Sequence, residues 1–104
     1  MIAMTGTLRT ADAVHAIPEL GQTLRRNYEH ILLHTGQMLV VFPTVGTVLV
    51  TEQTQKMKFD LVADSRIVIT TRISALETDL AKRAPGQTLR LEWCHSGAVP
   101  VPFR

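Results

Sequence analysis

The sequence predicts an α+β fold: a two-layer sandwich with a mainly antiparallel sheet and two helices on one face. Three observations predict it. Two segments, 14–28 and 64–84, repeat apolar residues every three to four positions, the helical period. The segments around them alternate apolar and polar residues, as strands do when one face is buried and the other wet. The turns "HTGQ", "PTVG" and "EQTQ" are too short for parallel crossovers, so the strands they join pair antiparallel. Two amphipathic helices then need a single sheet face on which to bury their stripes. The expected order is β-α-β-β-β-α-β, in one α+β domain over residues 1–94, with an extended C-terminal tail over 95–104.

Each element has a local reason. "TGTLRT" (5–10) is short and β-tolerant and reads as the opening strand. "TADA" starts a helix, with Thr10 as N-cap and Asp12 in the first turn. Val14, Ile17, Leu20, Leu24 and Tyr28 form its stripe. Pro18 removes one helical hydrogen bond, so a kink near 14–18, or a restart with Pro18 at the first position, is expected. "MLVVF" (38–42) and "TVLVT" (47–51) read as strands. "KMKFDLV" (56–62) is the cleanest one, with Met57, Phe59 and Leu61 on one side and Lys56, Lys58 and Asp60 on the other. Residues 66–73 have strand propensity, yet Ile69, Ile73, Leu76 and Leu80 keep helical spacing, so a helix is expected over 64–84. Asp64 or Ser65 caps its start and "PG" at 85–86 stops it. "TLRLEWC" (88–94) alternates as the last strand, and the tail beyond it carries two prolines.

The composition narrows the function classes. A chain of 104 residues with 45% hydrophobic and 19% charged residues fits one packed domain. The net charge of +2 is spread out, and only five aromatics accompany it. A nucleic-acid binder needs a basic stripe with aromatics between, so no nucleic acid is expected as partner. The single cysteine, Cys94, forms no intramolecular disulfide and fits a reducing compartment. The first residues lack the basic start and apolar run of a leader, and no apolar run is long enough to span a bilayer. A soluble cytoplasmic protein with no membrane contact is therefore expected.

Candidate chemistry centres on "EHILLH" (29–34). On a helix, His30 and His34 form half of a metal site. On a strand they share a face about 13 Å apart, at ~3.3 Å per residue, and one ion cannot take both. "ILL" is strand material and Gly36 turns the chain just after, so a sheet edge is the preferred reading and no metal is expected. Cys94 and His95 are adjacent on a strand and point to opposite faces, so they form no thiol–base pair. Asp60, Asp64, Glu77 and Asp79 form no acid/base pair, and no phosphate loop or cofactor motif is present. No catalytic residue is expected. Arg25 and Arg26, with His30 and His34, are the candidate ligand-binding residues. Arg66, Arg72, Lys82 and Arg83 extend them into a mildly basic surface if both helices lie on one side.

"RTADAVHAIPELGQTL", followed by sheet, a "DLAKRA" helix end and "LRLEW", resembles the bacterial Domain of Unknown Function 2218 family. The positions that carry the resemblance are Thr10 to Ala13, Leu20, Gly46, Leu80 and Trp93, within residues 5–94. That family usually places histidines at the end of its first helix and before the terminal leucine of its second. Here those places read "GQTLRRN" and Asp79. Family members occur alone or joined to FAD-binding siderophore-interacting proteins that release iron by reduction. The resemblance thus implies an accessory binding domain in siderophore-iron use, with a flavin-dependent siderophore-interacting protein as partner. Two alternatives stand beside it. One is a small metal or thiol enzyme using His30, His34 and Cys94. The other is a homodimeric structural module, with a strand such as 47–51 pairing with its copy.

Overall fold

The first strand of the chain lies inside the sheet. In the computed structural model, which describes residues 1–83 and 90–103, β1 (Ile2–Arg9) pairs antiparallel with β5 (Met57–Ala63) and with β6 (Arg90–His95). Between β1 and β5 come helix α1 (Ala13–Asn27) and strands β2 (Glu29–His34), β3 (Gln37–Phe42) and β4 (Gly46–Glu52). Helix α2 (Arg66–Arg83) precedes β6. The sheet order is β2-β3-β4-β5-β1-β6, and every neighbouring pair is antiparallel. The fold is α+β, as the sequence predicts. It has one strand more, β-α-β-β-β-β-α-β, because "EHILLH" forms a strand of its own after α1 ends at Asn27.

Pairing register decides which residues share a face. Phe59 lies opposite both Gly6 and Val50, Val50 opposite Met38, and Leu8 opposite Met57 and Leu91. These residues belong to one face. Ile17, Leu20 and Leu24 of α1 and Ile69, Leu76 and Leu80 of α2 pack into the same core cluster as Leu8, Val40, Val48 and Phe59 of the strands. Both helices therefore cover this inner face. The outer face presents Thr47, Leu49 and Thr51 of β4, Lys58, Asp60 and Val62 of β5, and Ala3, Thr5 and Thr7 of β1.

The helices follow their stripes except at Val14. Val14 is 63% exposed, and Ala16 takes its place against the core. Helix α1 runs through the exposed Pro18 from a start at Ala13, so it does not restart there. The residue before the helix is Asp12, not Thr10, and its carbonyl accepts from the amides of His15 and Ala16. Ser65 Oγ accepts from the Val68 amide at 3.2 Å and caps α2 as expected. The proposed stop at 85–86 and the start of the last strand at 88–89 lie outside the described residues.

Strand limits shift as well. β1 begins at Ile2, because Ile2 and Ala3 continue the pairing with Ala63 and Val62. β4 is an interior strand between β3 and β5, so residues 47–51 are not free to pair with a second copy; the edges are β2 and β6. The tail is not extended throughout. His95 belongs to β6, and Val101–Phe103 form a 3-10 turn closed by Phe103 N donating to Pro100 O at 2.9 Å. Proline holds φ near the value such a turn needs.

Gly6 is the tightest point of the sheet. The Trp93 ring, on the paired residue of β6, lies where a Cβ on Gly6 would meet it at 2.7–2.8 Å. Any side chain at position 6 lifts the indole from the core. Gly6→Ala is expected to cost about 1–3 kcal/mol, as overpacking of a filled site does. Urea unfolding checks this, and the cost is expected to shrink in a Trp93→Leu background, where the ring is gone.

Candidate functional site

The two histidines of β2 part company at a bulge. The β2–β3 register runs His30↔Val40 and Leu32↔Met38, then shifts so that His34 pairs with Gln37. Val40 belongs to the core face, whereas Gln37 pairs with Thr51 on the outer face. His30 therefore sits on the inner side and His34 on the outer, and the one-face spacing expected for a regular strand does not hold. The turn that follows needs Gly36, whose φ of +81° favours glycine. His30 Nδ1 lies 3.2 Å from the Tyr28 carbonyl, and since a carbonyl only accepts, that nitrogen carries the proton.

Cys94 is on β6, at the other edge of the sheet from β2. Five strand steps of ~4.8 Å put them about 24 Å apart. His30, His34 and Cys94 cannot meet at one metal or one substrate. Among the described residues no group of three or more His, Cys, Asp or Glu side chains is placed to hold a metal ion. Cys94 pairs with Thr5 on the outer face and His95 with Met4 on the inner, so the adjacent thiol and imidazole point apart as expected.

The expected basic surface is partly occupied. Arg72 Nη1 donates to the Val62 carbonyl at 2.5 Å and joins α2 to β5. Arg83 Nε donates to the Tyr28 hydroxyl at 3.0 Å, and its guanidinium carbon lies 5.1 Å from the centroid of that ring. Tyr28 in turn packs on Phe42, with ring centroids 4.6 Å apart. Asp79, where the family resemblance places a histidine, accepts from Thr44 Oγ1 at 3.3 Å. Arg26 is exposed and donates to Thr23 Oγ1 at 3.5 Å. Arg25 is half-buried beside Gly21, near the carboxylate of Glu52. Arg25, Arg26 and His30 thus lie on the helix side of the sheet, and His34 lies across it.

Sequence reasoning missed two features. Glu52 pairs with Met57, which turns its side chain inward under α1, and its Oε1 is buried with no partner among the described residues. Its "EQTQ" surroundings suggested a polar turn. On the outer face Ser96 Oγ lies 2.6 Å from Thr5 Oγ1, which donates to Asp60 Oδ1 at 2.5 Å. The Thr5 proton goes to Asp60, so Ser96 is the donor to Thr5. Residues 5, 60 and 96 are far apart in sequence, and only the β5-β1-β6 register brings them together.

The outer face also carries an apolar corner. Ile31 pairs with Leu39 and Leu39 with Leu49, making one row across β2, β3 and β4. Val41 lies on the same face, between Glu29 and Thr47. Ile31 is 64% and Val41 43% exposed, Leu39 is half-buried and Leu49 is buried, and α1 and α2 both pack on the opposite face. Single exposed apolar residues are ordinary, but a contiguous row is a feature of contact surfaces. No helix among the described residues is long and apolar enough to cross a membrane.

Compared with protein-family models and with curated proteins, the chain matches none. Among solved structures it is similar to the NMR structure of PA4090 from Pseudomonas aeruginosa. That similarity has a TM-score of 0.54 at 15% identity and covers 96% of this chain and 100% of the other. At that identity the likeness concerns the fold alone.

His15 forms an ion pair within its own helix start. Its Nδ1 lies 3.0 Å from Asp12 Oδ1, and the hydrogen bond and charge of Asp12 raise its pKa above 6.5. A raised folded-state pKa stabilises below the unfolded value, and that contribution is lost as pH rises through the folded value. Asp12→Asn is expected to lower the His15 midpoint, followed by its imidazole NMR signals through a pH titration. An unchanged midpoint would show that the pair is not formed in solution.

Proposed function

We propose that this chain is a non-catalytic binding or accessory domain, and that it docks a partner protein on the outer sheet face. The observation that carries the reading is the exposed pair Ile31 and Val41, which with the half-buried Leu39 form an apolar corner on the face opposite the helices, above the buried Leu49. Polar side chains of the same face border it, among them Gln37, Thr47 and Thr51. An apolar centre with a polar rim is the anatomy of a protein contact.

The family resemblance supplies the setting. It points to siderophore-iron use in the cytoplasm, with a flavin-dependent siderophore-interacting protein as the docked partner. The protein is expected to become more abundant when its host is starved of iron, measured by quantitative proteomics; unchanged abundance would remove the reason for the iron reading. Mixed with that reductase from the same host, the chain is expected to co-elute on a sizing column. Ile31→Lys with Val41→Lys should reduce the association at least tenfold. Wild-type strength in that variant would move the docking surface elsewhere.

A second reading, a homodimer, is favoured by the β2 edge. The strand has a neighbour on one side only, and Ile31 and Leu32 are both exposed. Antiparallel pairing of two β2 strands sets Glu29 of one copy toward His34 of the other, a complementary pair when the imidazole is charged. Sedimentation equilibrium of the chain alone separates the readings. A concentration-dependent dimer lost in Leu32→Pro supports this one.

A further inference from the structure

We propose that the cleft between the first two turns of α2 and the β1–β6 edge is a small-molecule site for an aliphatic carboxylate. The cleft has a volume of about 440 Å³, within the range of ligand pockets. Its apolar walls come from Ile2 and Met4 of β1 and Ile69 and Ile73 of α2. Its polar lining includes Arg66 and His95, and no acidic residue contributes. The site is independent of the docking surface, because it lies at the β1–β6 end of the sheet, whereas Ile31 and Val41 belong to β2 and β3 at the other end.

The fold explains why these residues converge. Ile2 pairs with Ala63 and Met4 with both Leu61 and His95, so all point to the inner face. β6 ends the sheet, which leaves His95 exposed beside the helix. Arg66, Ile69 and Ile73 follow one another at helical spacing on the α2 side that faces β1.

The charge selects the ligand. Arg72 and Arg83 on the same helix are held by hydrogen bonds, to Val62 and to Tyr28. Among the described residues the Arg66 guanidinium has no hydrogen bond or ion pair. A guanidinium matches a carboxylate with two parallel hydrogen bonds. His95 stands at the same mouth as a second polar contact. The apolar walls suit an unbranched hydrocarbon chain, and Met4 adapts to its shape. The larger hollow lined by Arg9 and Lys56 also contains Asp12, so it lacks this single sign.

Decanoate, below its micelle threshold, is the probe. Titrated into the ¹⁵N-labelled full chain, it is expected to give saturable NMR shifts at residues 2–4, 66–73 and 95–96. Arg66→Gln should weaken binding at least tenfold, and 1-decanol should bind the wild type at least tenfold more weakly than decanoate. The variant is expected to fold, since Arg66 is exposed and has no partner to lose; an unchanged thermal melt verifies it. The proposal is overturned by an absence of saturation, by equal affinity of Arg66→Gln, by equal affinity for the alcohol, or by shifts centred on Ile31, Leu39 and Val41.

Discussion

The insertion of β1 between β5 and β6 is the contact on which the rest of the structure depends. It joins the first residues of the chain to segments roughly fifty to ninety positions away, Ile2 to Ala63 and Met4 to His95 among them. Closing such loops costs entropy before any packing is gained. The return comes from the inner face, where Leu8, Phe59 and Leu61 are almost wholly excluded from water and Trp93 settles onto Gly6. Without this pairing β6 has no neighbour, and α2 keeps only β5 of the two strands it packs on.

The same arrangement produces an asymmetry. Two helices cover one face of a six-stranded sheet, and the β2–β3 corner of the other face stays exposed at Ile31 and Val41. On that other face β1, β5 and the start of the tail carry a hydroxyl–carboxylate chain, Ser96–Thr5–Asp60. The opposite corner, on β2, β3 and β4, is apolar. A sheet that only needed to be solvated would keep polar residues at Ile31 and Val41, as it does at Thr47 and Thr51. The two faces thus divide the work proposed for the molecule. The outer one offers a contact surface, and the inner one, at its β6 edge, a cleft with an uncommitted arginine.

Much of this was legible in the sequence. The period-two alternation of "KMKFDLV" and the helical spacing from Ile69 to Leu80 both match the structure, because each stripe faces a core that rewards it. The strand character of "EHILLH" was legible too. Its bulge was not, since one extra residue leaves no mark in composition, and so the opposite orientation of His30 and His34 was hidden. Val14 misled for a simpler reason: Ala13, Ala16 and Ile17 take the inward side of the first turn of α1, and Val14 falls off it. The interior position of β4 follows from strand order, which local pattern does not encode. Likewise the Arg66–His95 cleft joins residues on two elements whose adjacency depends on β1 entering the sheet between them.

The central claim is that the chain by itself leaves an apolar corner of its outer face open to solvent. Methyl NMR with a soluble paramagnetic probe, on dilute protein, tests it most directly. The signals of Ile31 and Val41 should broaden strongly while those of Val40, Val48 and Leu61 stay sharp. Protection of Ile31 and Val41 equal to that of the core methyls would contradict the account.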